Sequence, residues 1–505
     1  MTATDKVLLA IDIGTSSAKC VAMNKKGELV AEAAEGYSTS RPHHQWVEQS
    51  PECWWTAVSH VIKKCVGKLE EPQVEGISLS GHMSALVLVD GSGSVLRPSI
   101  LITDNRSTRQ TEHLNDLYKE EFIKHTGNQP MNAFTAPKLL WVKENEPEIF
   151  AAIDKLMFPK DYIRYKLTGE IGTDPTDAGN SLLLNVKERK WNEDLIQKVG
   201  LPNRIFPEIH ESLTVFGYVS DEAARETGMV RRGTPVVTGG ADMACSHIGT
   251  GAYLPGTSAI TLSTSGQVVM SAEEIDEKKS GKVTYHPGAV MGTMYAMGTV
   301  FTGGLGVEWG YKLLYDRKEM NKGDYERIDE LSEEMKRYPP GSEGLVFLPF
   351  LVGSSTPYFD SKDRAAWIGL TIGQRKSLLL HSILEGITFN LQENLHVLQG
   401  SRDEQPDIFL GGGGSRNDVW VQMIADVTNS EVKRLISTDG STMGAAIIGG
   451  VALSWFPSVE EALAEVVKAG EEFVPDVYKH YQYRNLFEGY QTLYKSLNHY
   501  YHKYS

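Results

Sequence analysis

The sequence predicts a mixed α/β protein of two large halves facing a shared cleft, and three observations carry that prediction. Its 505 residues exceed what one hydrophobic core usually serves. A strand–turn–strand unit with hydroxyls and glycine at its tip occurs twice, at residues 7–23 and again at 258–270. Elsewhere apolar residues recur at three- and four-residue spacing, so helices are mixed with the extended runs.

The opening reads as three strands, over 7–12, 18–23 and 28–33, separated by Gly14-Thr15-Ser16-Ser17 and Asn24-Lys25-Lys26-Gly27. Strand follows strand across the first turn, whereas a P-loop or a dinucleotide fingerprint sets its glycines between a strand and a helix. The turn is therefore expected to be a hairpin phosphate loop. Helices are expected over 54–69, 136–143 and 376–398. In the second half, strands over 258–262 and 267–270 bracket Thr264-Ser265-Gly266. Gly239-Gly240, Gly249, Gly251, Pro255 and Gly256 punctuate the middle of the chain, which places the domain junction there and gives domains 1–247 and 248–505. A tyrosine- and leucine-rich stripe over 478–501 is expected to be a helix docked on a core.

Hydrophobic residues make up 41% and charged residues 23% of the chain, ordinary usage for a soluble globular protein. No apolar run approaches the roughly 20 residues that span a bilayer, and the first one stops at Asp12 without the flanks of a secretory signal. The expectation is a cytoplasmic protein with no membrane partner. A formal charge of −15 disfavours nonspecific attraction to nucleic acid. Cys20, Cys53, Cys65 and Cys245 show no C-x-x-C spacing, which points to reduced, buried thiols rather than a zinc site or a disulfide framework. A homodimer is compatible with all of this.

A nucleoside triphosphate such as ATP needs backbone N–H groups, hydroxyls and a divalent cation around its phosphates. Asp12-Ile13-Gly14-Thr15-Ser16-Ser17 offers them: Gly14 for close approach, Thr15 and Ser16 as donors, Asp12 for a hydrated magnesium ion, and Lys19 to offset phosphate charge. Alone, such a tetrad is as readily a plain hairpin turn; paired with Thr264, Ser265 and Gly266 it suits a cleft that grips phosphates from two sides. Gly411-Gly412-Gly413-Gly414 follows the apolar Ile408-Phe409-Leu410 and precedes Ser415-Arg416-Asn417. Four glycines in a row carry an ordering cost that a flat seat for adenine or ribose would justify. Asp242 follows Pro235-Val236-Val237 through two glycines and is the candidate carboxylate to take a proton from an acceptor hydroxyl. An aspartate so placed is also an ordinary turn or helix cap. At the usual pKa of ~3.9 it would be ionised at neutral pH.

Taken together these segments resemble the FGGY family of carbohydrate kinases over nearly the whole chain, and the N-terminal half resembles the xylulokinases within it. The resemblance is carried by Arg41-Pro42-His43 with Trp46 and Glu48-Gln49, by Phe134-Thr135-Ala136-Pro137-Lys138-Leu139-Leu140-Trp141, and by Pro159-Lys160-Asp161-Tyr162. It continues in Phe347-Leu348-Pro349-Phe350-Leu351, Thr356-Pro357, Leu384-Glu385-Gly386-Ile387, the glycine cluster with Trp420, and Met443-Gly444-Ala445-Ala446. It implies the two-domain actin-like ATPase fold, a ribonuclease-H-like sheet in each half, with the nucleotide mainly on the C-terminal half and the acceptor mainly on the N-terminal half. It implies ATP- and Mg2+-dependent phosphorylation of a small sugar or polyol, foremost a ketopentose such as D-xylulose. In this reading ATP lies on Gly14, Thr15, Ser16, Lys19, Thr264, Ser265, Gly266, Gly413, Gly414 and Asn417. The acceptor lies by His82, Met83, Asp104 and Asp242, with Asp242 as catalytic base, and Mg2+ is held through water by Asp12 and Asp242.

The chain departs from xylulokinases where they carry Gln-Met-His-Gly, Trp-Asn-Asp-Gly-Arg, Asp-Asn and Gly-Glu-Arg-Thr-Pro. Here His82-Met83-Ser84-Ala85, Ile102-Thr103-Asp104-Asn105-Arg106, Asp242-Met243 and Gly353-Ser354-Ser355-Thr356-Pro357 stand instead. Unmatched buried polar groups change selectivity by orders of magnitude, so the acceptor identity is open. His82 reads either as an acceptor contact or as a packed histidine, and Glu385 as a structural hydrogen-bonding group. Two rival readings stand beside the kinase: a sugar-binding sensor that has lost turnover, and an actin- or chaperone-like ATPase, which would leave Asp242 and the sugar-side strings unexplained.

Overall fold

A computed structural model describes residues 6–400, 404–437 and 439–504. Among the described residues two seven-stranded sheets form the framework. The first holds β1 (Lys6–Ile13), β2 (Ser17–Asn24), β3 (Leu29–Gly36), β4 (Gln73–Gly81), β5 (Val215–Tyr218), β6 (Pro235–Val237) and β7 (Gly240–Ala241). Its order is β5-β6-β4-β1-β2-β3, with β7 also pairing β4. The second holds β8 (Thr257–Leu262), β9 (Gly266–Ala272), β10 (Thr284–Pro287), β11 (Met294–Val300), β12 (Asp407–Gly411), β13 (Val432–Leu435) and β14 (Ala469–Phe473), in the order β10-β11-β9-β8-β12-β13-β14.

The two sheets repeat one topology. In each, three neighbouring strands form an antiparallel set (β1-β2-β3 and β8-β9-β11), and two more lie parallel to the first of them on its other side (β4 and β6; β12 and β13). The expected duplication is therefore present in the order and pairing directions of the central strands. β1 sits between β2 and β4 and accordingly reads as an apolar run from Val7 to Ile11, with burial continuing through Asp12 to Ile13.

Helix α1 (Pro51–Val66) starts on a proline at its first turn and packs Trp54, Val58, Val61, Ile62 and Cys65 against the first sheet. The helix expected over 376–398 is α3 (Lys376–Gln399), almost wholly buried, and the tyrosine stripe is α6 (Val477–Tyr504), docked through Tyr483, Phe487, Tyr490 and Tyr494. Between them in the chain are α4 (Asp418–Thr428) and α5 (Gly440–Ala452). Three cysteines are buried as expected, but Cys53 is exposed, because it falls on the solvent side of α1.

Helix α2 (Asp242–Gly249) follows β7, and α5 follows β13, so the two occupy corresponding places in the two halves. They cross at glycines. A Cβ at Gly444 would stand 1.9 Å from the Cys245 carbonyl oxygen, and one at Gly249 would stand 2.1 Å from that of Gly440. α5 also lies on the first sheet: Met443, Ile447 and Ile448 share a core with Leu8, Ala10 and Met23. A segment from late in the chain thus completes the N-terminal half, which strand and helix patterns by themselves do not show. No helix among the described residues is long and apolar enough to cross a membrane.

Candidate active site

The first hairpin joins β1 to β2 through Gly14-Thr15-Ser16. Gly14 N–H donates to the Ser17 carbonyl at 3.0 Å, Tyr37 N–H to the Ser16 carbonyl at 3.1 Å, and Gln49 Nε2 to the Thr15 carbonyl at 2.8 Å; the Tyr37 hydroxyl reaches the Gly14 carbonyl. With their carbonyls held by the fold, Thr15 and Ser16 are exposed at the tip. The second hairpin joins β8 to β9, and its exposed tip is Ser263-Thr264, one residue earlier than the sequence suggests. Gly266 is buried in β9, opposite Leu262 and Val300. The N-terminus of a helix embraces this tip: Gly304 N–H donates to Ser263 O at 2.7 Å, and Gly303 N–H to Thr264 O at 3.1 Å. A Cβ at Gly303 would stand 2.6 Å from the Ser265 carbonyl carbon, so that approach needs glycine.

Beside the second tip lies a cavity of about 430 Å³, lined among others by Thr264, Tyr325, Ser332, Gly413, Gly414 and Asn417. Its volume suits a small ligand. The glycine run is only partly explained by that cavity. Gly412 has φ +86° and would press a Cβ within 2.2 Å of the Leu262 carbonyl oxygen, and Gly414 packs against Leu262 and Trp420, whereas a Cβ at Gly413 meets open space. Asn417 caps α4 by accepting from Trp420 N–H and donates to Ser332 Oγ at 2.6 Å.

The acidic residues of the two halves converge. Asp12 is buried and accepts from Ser80 Oγ at 2.7 Å; burial and the Asp439 carboxylate push its pKa up to about 6, against the pull of Ser80 and Lys19. Asp242 opens α2, keeps part of its surface open, and accepts from Met243 N–H at 2.8 Å and from the Met83 backbone. Burial, then Asp12, raises it to about 7, well above the value expected from its residue type alone. Lys19, from β2, pairs with Asp439 at 2.8 Å.

On the other side of Asp242, Met83 and His82 continue from β4. His82 is 1% exposed and stands edge-on to Trp54; its Nδ1 donates to the Ile13 carbonyl at 2.9 Å. Burial drives its pKa down to about 4, so the ring is neutral, and Nε2 has no hydrogen-bond partner among the described residues. Asp104 is fully enclosed. Its oxygens accept from Val47 N–H at 2.6 Å and from Arg106 N, Nε and Nη2 at 2.9, 2.9 and 2.7 Å, which lays the guanidinium 3.9 Å from the Trp46 ring centre. The structure therefore brings Asp12, Lys19, His82, Met83 and Asp242 together around the first hairpin, whereas the oxygens of Asp104 are taken up by Val47 N–H and Arg106.

Comparison with known proteins meets this geometry. The sequence pattern of the FGGY family of carbohydrate kinases, N-terminal domain, matches residues 7–249, and that of the C-terminal domain matches residues 255–453. A xylulose kinase from Bacillus subtilis (strain 168) is 32% identical over 498 residues, 98% of each chain. The chain belongs to the FGGY family of carbohydrate kinases. Crystal structures of a xyloylose kinase from Brucella ovis and a gluconate kinase from Lactobacillus acidophilus are similar with TM-scores of 0.89 and 0.91, at 30% and 25% identity. They cover 97% and 99% of this chain and 99% and 100% of theirs.

This FGGY kinase is a phosphotransferase that uses ATP with Mg2+, on the actin-like ATPase fold. Its carboxylates fit such an ion. Mg2+ is typically held by one or two carboxylates together with substrate phosphates and water, and Asp12 and Asp242 are two hard oxygen donors, both raised by burial, with Asp12 adding to the rise at Asp242. Among the described residues no cluster of three or more His, Cys, Asp or Glu forms a cage. Gly303-Gly304 and Asp439 were missed by sequence reasoning. The glycine pair was readable, since it follows the apolar end of β11; Asp439 was not, because its partner lies 420 positions away.

Proposed function

We propose that this kinase transfers the γ-phosphoryl group of ATP to a hydroxyl of a neutral ketopentose such as D-xylulose, with Asp242 as the base. The observation that carries the reading is the Asp242 carboxylate, held by the backbone of Met83, the residue after the neutral His82 with its unpartnered Nε2, and within electrostatic reach of Asp12. A pKa near 7 suits a group that must take a proton at neutral pH. The acceptor oxygen loses its proton to Asp242 as it bonds to the γ-phosphorus, the bond from that phosphorus to the β–γ bridging oxygen breaks, and ADP leaves. Asp12 and Asp242 would hold Mg2+, which offsets the phosphate charge when bound. Lys19 and the tips at Gly14-Thr15-Ser16 and Thr264-Ser265 bind phosphates in this proposal, and the cavity at Gly413, Gly414 and Asn417 takes the base and ribose. Gly266 acts from within β9 by shaping the tip, and Asp104 by holding Arg106.

Charge pairing supports a neutral acceptor. Arg106 is paired with Asp104 and Glu48, Arg97 with Glu48 and Glu146, and Lys138 Nζ donates to the carbonyls of Ser84 and Ala133. A sugar acid would bring its carboxylate toward Asp12 and Asp242 with these cations already engaged. The division of the chain at residue 247 belongs to the same proposal: the half with the sheet strands of residues 6–241 serves the acceptor and carries the first phosphate hairpin and the base, and the half with those of 257–473 serves the nucleotide. Dependence on ATP supports a cytoplasmic setting.

The test is Mg2+-dependent ADP release with product mass recorded, across pentuloses, hexuloses, aldoses, glycerol and gluconate. Phosphorylated D-xylulose as the preferred product is expected. Preference for gluconate would overturn the neutral pocket, and silence with sugar and ATP still bound would favour the sensor.

A further inference from the structure

We propose that Thr176, anchored on Asp174, is a positioning residue for phosphoryl transfer, because its hydroxyl clamps the peptide that immediately precedes Asp242. The inference rests on Asp242 acting as the base. Thr176 is 1% exposed and Asp174 is fully buried. Thr176 Oγ1 lies 2.6 Å from Asp174 Oδ2 and 2.8 Å from Ala241 N. The directions are forced by the chemistry: a carboxylate accepts, so the hydroxyl proton goes to Asp174, and the hydroxyl lone pair receives the Ala241 N–H.

Asp174 is itself fixed from several sides. Ser212 Oγ donates to its Oδ2 at 2.6 Å, Thr176 N at 3.0 Å, and Lys160 Nζ lies 2.8 Å from Oδ1. Lys160 also pairs with Asp161 at 2.6 Å and Asp177 at 3.0 Å, all at sites closed to solvent. The same cluster grips the rest of the strand end. Arg164, paired with Asp161, donates to the Thr238 carbonyl at 3.2 Å, and Gly239 N–H donates to the Ser212 carbonyl at 3.1 Å. Three handles, on Thr238, Gly239 and Ala241, therefore descend from one buried charged network.

The segment needs them. It carries Gly239 at φ +73° and Gly240, residues of little intrinsic restraint, separated from the base by Ala241 alone. Reaction geometry tolerates little error, and a displacement of about 1 Å can cost about 100-fold in rate. Removing the Thr176 oxygen leaves the buried Ala241 N–H without its acceptor, and the peptide can recover a partner only by turning, which carries the Asp242 side chain with it.

The experiment compares Thr176→Val, close in shape but without the hydroxyl, with Thr176→Ser, which keeps it, using the sugar that the wild type phosphorylates fastest. Thr176→Val is expected to lower kcat by about 10- to 100-fold while KM for the sugar and Kd for ADP stay within about twofold. Thr176→Ser should return kcat to within about threefold of wild type. Should the valine variant not fold, Thr176→Ala is measured in its place. Wild-type kcat in the hydroxyl-free variant would overturn the proposal, as would equal impairment of the serine variant or a loss confined to KM. Asp242→Asn is run alongside: if it keeps wild-type turnover, the base assignment fails, whereas a dead Asp242→Asn with an unimpaired Thr176→Val removes only the positioning role.

Discussion

Lys19 Nζ stands 2.8 Å from Asp439 Oδ2, an ion pair that joins β2, just beyond the Gly14-Thr15-Ser16 hairpin, to the residue that caps α5. The Asp439 side chain also accepts from Thr442 N–H in the first turn of that helix. Both partners are partly open to solvent, so the pair itself contributes less than about 1 kcal/mol. Asp439→Asn should therefore leave the melting temperature nearly unchanged. Lys19→Met should weaken ADP binding about tenfold if Lys19 serves the phosphates, measured by titration calorimetry at fixed salt. Unchanged affinity together with a lower melting temperature would assign Lys19 to the tie between halves alone.

The crossing of α2 and α5 makes a sharper demand. Gly444 has no room for a methyl group against the Cys245 backbone, and backbone at a helix crossing cannot give way as a flexible side chain can. Gly444→Ala should destabilise the protein by about 1–3 kcal/mol or more, read as a lower urea midpoint. A wild-type midpoint would show that the helices can separate at no cost.

Two neighbouring glycines should respond in opposite ways. A Cβ at Gly413, in the wall of the cavity proposed for the base and ribose, meets nothing within 4 Å, whereas one at Gly412 strains a left-handed backbone already against Leu262. Gly413→Leu is expected to raise KM for ATP about tenfold or more with an unchanged melting temperature. Gly412→Leu is expected to lose stability first. Unchanged nucleotide kinetics in the Gly413 variant would move the base and ribose out of this cavity.

Glu385 gives a pH signature. It accepts from Gly341 N–H at 2.7 Å and Ser342 Oγ at 2.6 Å, and burial raises its pKa from the usual 4.5 to about 7. The folded protein then keeps a proton that the unfolded chain releases. The resulting stability is complete below pH ~4.5 and is lost as pH rises through about 7. Glu385→Gln, uncharged throughout, should gain on the wild type between pH 5 and 8 by up to about 3 kcal/mol. Parallel urea curves for the two proteins at both pH values would exclude a protonated Glu385. In either case its bonds are those of a structural group, in line with its place within α3.

Local chemistry made a large part of this protein readable. The apolar run of β1 and the glycine turn that follows it are consequences of burial on both faces and of tight reversal, and both are written in adjacent residues. The duplicated hairpin, the buried α3 and the docked tyrosine stripe of α6 followed from spacing alone. The candidate base was also legible, because strand, two glycines and an aspartate form a local pattern.

What only the tertiary structure decided depends on partners distant in the chain. The sequence could not say that α5 lies across α2 and on the first sheet, that Asp439 faces Lys19, or that Thr176 holds Ala241 from 65 positions away. Nor could it raise Asp242 to about 7, since that shift comes from enclosure and from Asp12, not from the aspartate itself. Asp104 shows the same limit from the other side: the family resemblance suggested an acceptor contact, and in the fold both of its oxygens accept from the Arg106 guanidinium. Residue type and spacing fix what a side chain can offer, while desolvation and competing hydrogen bonds, which exist only once the chain is folded, fix what it has left to give.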